Sequence, residues 1–214
     1  MSGLILHGYW RSGAAYRVRI ALNLKGIEYR QITHDLRLGA QRELAYLGIA
    51  PHGLVPAIEH DGRTIIESAA ILEWLEARWH SPALLPVDPD DAATVRAMAA
   101  LIACDIHPLN NLRILDALRA DFAASPDQIR VWIARWIHDG FTALEILIER
   151  HGGIYAFGDR PTLADCYLVP QLYSAERFGI DLSAFPHIVA VGSAARGLPA
   201  FVAAHPKAQP DADP

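Results

Sequence analysis

The chain has 214 residues, of which 52% are hydrophobic and 20% charged, a balance that supports a large buried core and excludes a disordered chain. A formal net charge of -5 excludes general capture of nucleic acid, although local Arg clusters can still hold small anions. The two cysteines, Cys104 and Cys166, stand far apart in helical patterns, which excludes a disulfide framework and a CxxC zinc site; both read as inert core thiols. The histidines contain no HExxH and no tight ligand spacing, so no metal site is expected. MSGLILHGYW has no basic leader and its apolar run is too short for a signal peptide or a membrane span, so a cytoplasmic protein without membrane or nucleic-acid partners is expected.

In chain order, Leu4, Ile5 and Leu6 suit a buried strand over 4–7. Val18, Ala21 and Leu22 recur at helical spacing, so a helix is predicted over 12–25, with Gly26 just past its end. Residues 28–33 suit a second strand and 40–47 a short helix. LVPAIEH and TIIES flank the turn pair Asp61-Gly62, which predicts a β-hairpin. Pro56 inside the first of these runs requires either an edge strand or a cis Val55–Pro56 bond. From Ser68, AAILEWLEARW places Ile71, Leu72, Leu75 and Trp79 on one helix face.

HSPALLPVDPDD, with three prolines and several acids, reads as an interdomain linker. Beyond it strand signals disappear. A long helical pattern runs from Asp88 to Asp121 with a break at Pro108, and a second covers 126–150 with Ile129, Ile133, Trp136, Ile137 and Leu144 as its stripe. Thr162 and Asp165 form a capping box before the apolar helix CYLVPQLYSAERF. A last helix is predicted near 187–196, and HPKAQPDADP is expected on the surface or disordered.

Residues 9–22, YWRSGAAYRVRIAL, join an aromatic pair, an Arg and a Ser-Gly step to a helix start. The free N–H groups of a first helical turn favour an anion or thiolate there by about 0.3–1 kcal/mol. Ser12 either only caps that helix or also meets such a ligand.

The element order β-α-β-α-β-β-α followed by helices resembles the cytosolic glutathione transferase fold: an α/β thioredoxin-like N-terminal domain and an all-α C-terminal domain. YWRSGAAYRVRIALNLKGIEY is similar to the zeta class, as are LVPAI, ESAAILEWLE, CDIHPLNNLRIL, GDRPTLADCYLVPQ and AERFGIDL in zeta-like order. The family's Ser-Ser-Cys is here Ser12-Gly13-Ala14, so any role of that Cys is lost. The Ser-Gly form with DIHPLNN resembles glutathione-dependent maleylpyruvate isomerases of aromatic-acid degradation more than maleylacetoacetate isomerases. The implied division is a glutathione-binding domain over 1–80, a linker over 81–91 and a substrate-binding helical domain over 92–214.

The resemblance implies glutathione as cofactor and a homodimer. Glu67 and Ser68 would take its γ-glutamyl end and Val55 its cysteinyl backbone, beside Pro56, with His52 a further contact. His107 and Asn111, four apart and so on one helix face, would serve the glycyl end or nearby polar contacts. Asp105 would reach a neighbouring subunit's glutathione. Ser12 and Arg11 would favour the thiolate, and Arg11, Arg113 and Arg177 would hold a dicarboxylate substrate. Arg17 and Arg19 read as structural or surface residues. The implied reaction is cis-trans isomerisation of a maleyl dicarboxylate through thiolate addition, bond rotation and elimination. Its rivals are conjugation of glutathione to small electrophiles such as α-halo acids, and a non-catalytic binding module of the same fold.

Overall fold

A computed structural model describes residues 3–213, which divide into two units: residues 3–84 with 197–213, and Leu85–Arg196. The first unit is built on β1 (Leu4–Gly8), α1 (Gly13–Leu24), β2 (Tyr29–Thr33), α2 (Leu44–Leu47), β3 (Ala57–His60), β4 (Arg63–Ile66) and α3 (Ser68–Arg78). Its four strands lie in the order β2-β1-β3-β4, with β1 parallel to β2 and antiparallel to β3, and β3 antiparallel to β4. Leu6 of β1 pairs with Ile58 of β3, and neither side chain is exposed, which fixes the register at the centre of the sheet. The Asp61-Gly62 turn has positive φ at both residues, as a two-residue hairpin requires. Because β3 is flanked on both sides, Pro56 is not on an edge; the Val55–Pro56 bond is cis and β3 starts just after it.

Helix α1 is buried continuously from Ala15 to Leu22 and packs against α3. It ends with Gly26 in the left-handed region and the Ile27 N–H returned to the Leu22 carbonyl at 2.9 Å. Lys25 ties that end to α3 through Glu76 at 2.7 Å and the carbonyls of Trp79 and Pro82. Trp79 is the residue that ends α3 and not part of its buried face.

The second unit holds α4 (Pro89–Ala100), α5 (Leu112–Phe122), α6 (Pro126–His151), α7 (Leu163–Arg177) and α8 (Pro186–Arg196). Helix α4 starts inside the predicted linker because Asp88 accepts the Asp90 and Asp91 N–H groups while Pro89 occupies the first turn. A π-helical turn, Leu101–Ile106, and a 3-10 turn, Pro108–Asn110, separate α4 from α5, so Pro108 does mark the break. The stretch Pro89–Phe122 is apolar and long enough to cross a membrane by composition, yet its apolar residues Val95, Met98, Ile102, Ile106 and Leu115 are the buried core of this unit. Ile106 and Ile102 face inward four residues apart, which turns Cys104, halfway between them, outward: it is exposed and not the core thiol expected, whereas Cys166 is buried. Helix α8 packs closely on α7 at Gly192, where a Cβ would meet Leu172 Cδ1 at 2.2 Å.

Residues 197–213 are not part of the helical unit, whose expected span reached 214, whereas the described part of HPKAQPDADP lies largely at the surface as expected, with Lys207, Ala208, Pro210 and Asp213 exposed. Residues 197–213 form α9 (Pro199–Ala204), which packs on α1, followed by a 3-10 turn and a segment that folds back on the first unit. Arg19 on α1 explains this. It is fully buried and donates Nε to the Ala204 carbonyl at 3.0 Å. A buried guanidinium needs acceptors, and the end of α9 supplies one.

Candidate active site

The first unit offers two hydroxyls at helix starts. Ser12 precedes α1, partly exposed, and its Oγ accepts the Ala15 N–H at 3.2 Å. The cap is therefore real, and is worth about 1 kcal/mol. It uses only the oxygen: an amide N–H can only donate, so the Ser12 hydroxyl keeps its own hydrogen to give to an anion. Arg11, next to it, is half-buried with its guanidinium 5.2 Å from the centre of the Trp10 ring.

Ser68, the first residue of α3, is buried, and its Oγ accepts from Arg17 Nη1 at 3.2 Å. Arg17 is itself only 3% exposed. A guanidinium has no acceptor, so Ser68 too retains its hydrogen, next to the unpaired first-turn N–H groups of α3. Glu67, just before it, has φ 68 and ψ 120, a conformation costly for a residue with a Cβ, and its exposed side chain does not cap the helix. His52 Nε2 lies 3.6 Å from Glu67 Oε1, and His52 Nδ1 is buried with no hydrogen-bond partner among the described residues.

Between these starts, Tyr9, Trp10, Tyr46, Ala50, Val55 and Ala57 form one buried cluster. It joins the loop that carries Ser12 to Val55 and the cis Pro56. The Tyr46 hydroxyl donates to the Leu54 carbonyl at 2.7 Å and fixes the approach to that bond. Burial raises the Tyr46 and Tyr9 hydroxyls above the ordinary tyrosine range, so both stay neutral. Ser12, Arg11, His52, Val55, Pro56, Glu67 and Ser68 thus all belong to one unit.

The other predicted site residues belong to the helical unit. Arg113, in the first turn of α5, and Arg177, the last residue of α7, are exposed, with the Arg177 guanidinium 4.2 Å from the centre of the Phe178 ring. Asp105 is exposed on the π turn and His107 is half-buried at its end. His107 and Asn111 do not share a helix face, because the Pro108–Asn110 turn separates them. Asn111 is the cap of α5, its Oδ1 accepting the Arg113 N–H at 3.2 Å.

The family described as "Glutathione S-transferase, N-terminal domain" matches residues 11–78, and "Glutathione S-transferase, C-terminal domain" matches residues 141–199. A maleylpyruvate isomerase of Ralstonia sp is 49% identical over 96% of this chain and 98% of its own length. A solved holo structure of maleylpyruvate isomerase, described as a bacterial glutathione S-transferase of the zeta class, superposes with a TM-score of 0.96 at 48% identity, covering 98% of this chain and 100% of that one. The chain belongs to the zeta class of glutathione S-transferases. Within that class, a maleylacetoacetate isomerase of Pseudomonas aeruginosa is also 49% identical, over 96% of this chain and 97% of its own length.

Two residues of this zeta-class chain were not legible as site candidates. Arg17 is a buried support for Ser68; the available signal was two arginines on the otherwise apolar helix 14–22. Asn110 has both amide atoms buried with no partner among the described residues, while its neighbour Asn111 does the capping. An Asn-Asn pair cannot reveal from sequence which member caps and which is left to meet a ligand or water.

Proposed function

We propose that this enzyme uses glutathione to isomerise a maleyl dicarboxylate, maleylpyruvate or maleylacetoacetate, to its fumaryl isomer. The observation that carries the reading is near-full-length similarity to isomerases of both names, on a chain that retains Ser12, Val55, the cis Pro56 and Ser68. The side chains fit the tripeptide. Ser68, with its hydrogen available and Arg17 behind it, suits the γ-glutamyl carboxylate, with Glu67 and His52 beside it. The Val55 backbone suits the cysteinyl unit. Asn110, His107 and Asp105 are polar candidates for the glycyl end or nearby contacts, in place of the capping Asn111.

When bound, glutathione supplies the thiolate that adds to the cis double bond and leaves after rotation. An ordinary thiol, with a pKa near 8.5, is mostly protonated at neutral pH. Ser12 O–H, the first-turn N–H groups of α1 and the charge of Arg11 lower that value by stabilising the anion. Arg11, Arg113 and Arg177 supply cations for the substrate carboxylates, and a donor held where enolate charge develops speeds the addition. The enzyme acts in the cytoplasm as a homodimer, as the class resemblance implies.

The test is an absorbance assay with maleylpyruvate and with maleylacetoacetate, each with and without glutathione. Isomerisation that requires glutathione and leaves its total concentration unchanged is expected. Stoichiometric consumption with an α-halo acid, and no isomerisation, would instead make the protein a conjugating transferase. Arg177→Met and Arg113→Met are expected to lower kcat/KM for the dicarboxylate about ten- to a hundredfold while sparing conjugation of a neutral electrophile.

A further inference from the structure

The segment that follows α9 is tied to the loop that carries Ser12. Asp211 is the centre of this attachment: one carboxylate oxygen accepts the backbone N–H of Trp10 at 3.0 Å and the other accepts Gln31 Nε2 at 3.2 Å. Asp213 binds Arg37 Nη1 at 2.8 and 2.9 Å, and the Arg37 guanidinium lies 5.8 Å from the centre of the Tyr9 ring. Between the two acids, Ala212 packs against the cluster of Tyr9, Trp10, Tyr46 and Val55. The same loop is held from its other side by Arg19, which donates to the carbonyls of Tyr9 at 3.4 Å and Trp10 at 2.9 Å. The backbone immediately before Arg11 and Ser12 therefore has its N–H held by one end of the chain's last segment and its carbonyls held by the residue that anchors α9.

We propose that residues 209–213 are a strap that sets the position of the thiol-binding loop, with Asp211 as its positioning residue. The inference rests on the reading of Ser12 as the donor to the thiolate. Physically, a hydroxyl and a set of N–H groups stabilise an anion only when held within a few tenths of an ångström of the right geometry, and a loop between a strand and a helix does not hold itself. Asp211 supplies a charge-assisted hydrogen bond to the loop's backbone while its own charge, taken alone, disfavours a nearby anion. These two effects have opposite signs on a bound thiol, so they can be separated.

The experiment compares Asp211→Ala, Asp211→Asn and Arg37→Gln with the parent protein. The readouts are the ultraviolet thiolate absorbance of bound glutathione against pH, kcat and the KM for glutathione. If the strap positions the loop, Asp211→Ala raises the pKa of the bound thiol and lowers kcat about tenfold, while the KM for glutathione moves less than about threefold. Asp211→Asn keeps an acceptor for the Trp10 N–H and recovers most of the loss. Arg37→Gln releases Asp213, together with Asp35 and the cation beside Tyr9, but leaves both bonds of Asp211 in place, and gives a smaller change in the same direction. A bound thiol pKa that is unchanged or lowered in Asp211→Ala overturns the proposal, since the segment would then be ornamental or act through charge alone. If Asp211→Ala does not fold, an Asp211→Asn protein with less than half the parent's kcat and an unshifted thiol overturns it equally. Absence of glutathione binding in the parent, measured by calorimetry, would instead sink the functional reading itself.

Discussion

Among the described residues four helices, α1, α3, α6 and α7, open on a hydroxyl residue, and they divide by what becomes of the hydroxyl's hydrogen. At the start of α7 the arrangement is closed. Thr162 donates its N–H and its hydroxyl to Asp165 Oδ2 at 2.8 and 3.1 Å, Ala156 donates its N–H to the other oxygen at 2.9 Å, and Asp165 is fully buried. At the starts of α1, α3 and α6 the oxygen accepts from a group that can only donate, the Ala15 amide, the Arg17 guanidinium or the Gln128 amide. There the bond that the oxygen accepts leaves the hydroxyl hydrogen unused. A hydroxyl at a helix start thus gives its hydrogen to a carboxylate at α7 and keeps it at α1, α3 and α6; under the proposed function those of Ser12 and Ser68 meet glutathione.

The largest effect that tests this contrast is at the closed start. Asp165→Ala leaves three donors without their acceptor and should cost about 3–5 kcal/mol in chemical denaturation, with or without glutathione. A loss below about 1 kcal/mol would remove the distinction. Burial raises the Asp165 carboxyl from 3.8 to about 6 despite those donors. Its proton is thus held more tightly in the folded state, so the proton-linked part of its contribution is full below about pH 4 and is lost as pH rises through about 6, while the three donated hydrogen bonds remain. Asp165→Asn should flatten that part of the stability profile.

At the open start of α1, Ser12→Ala should lower kcat about thirty- to a hundredfold with little change in the KM for glutathione, and should lower stability by only about 1 kcal/mol. A stability loss with unchanged turnover would make Ser12 a cap and nothing more. At α3 the order should invert: Ser68→Ala should raise the KM for glutathione about tenfold and leave kcat at saturation nearly intact. Because Arg17 acts through Ser68, adding Arg17→Met to Ser68→Ala should cost less than the two single changes together, and strict additivity would separate them.

The smallest expected effect concerns Cys104. Iodoacetamide should label this exposed thiol in the folded protein and reach Cys166 only on unfolding, with turnover retained throughout. Inactivation in step with Cys104 labelling would place the π turn in the chemistry.

Local patterns decided much of this protein without help from its tertiary structure. Short apolar runs and helical spacings, the Asp61-Gly62 turn, Gly26 beyond α1 and the Thr162/Asp165 box all act within a few residues, and each lies where those patterns placed it. The motif around Ser12, with LVPAI and ESAAILEWLE, likewise marked the class, since it is carried by contiguous residues. What sequence spacing could not decide were the bonds between residues far apart. Arg17 and Arg19 look like surface charges on a helix until Ser68, 51 positions on, and Ala204, 185 positions on, supply their partners. The last residues look like a polar tail until Trp10 and Arg37 supply donors for Asp211 and Asp213. Cys104 and Asn111 differ from expectation for two other reasons: a thiol reads as core by its type until Ile102 and Ile106 take the inner face, and the 3-10 turn Pro108–Asn110 breaks the α-helical period that would put Asn111 on the face of His107. A hydrogen bond's strength depends on geometry that only folding creates, whereas periodicity is written along the chain, and that is why the elements were legible and the partners of the buried arginines and the terminal aspartates were not.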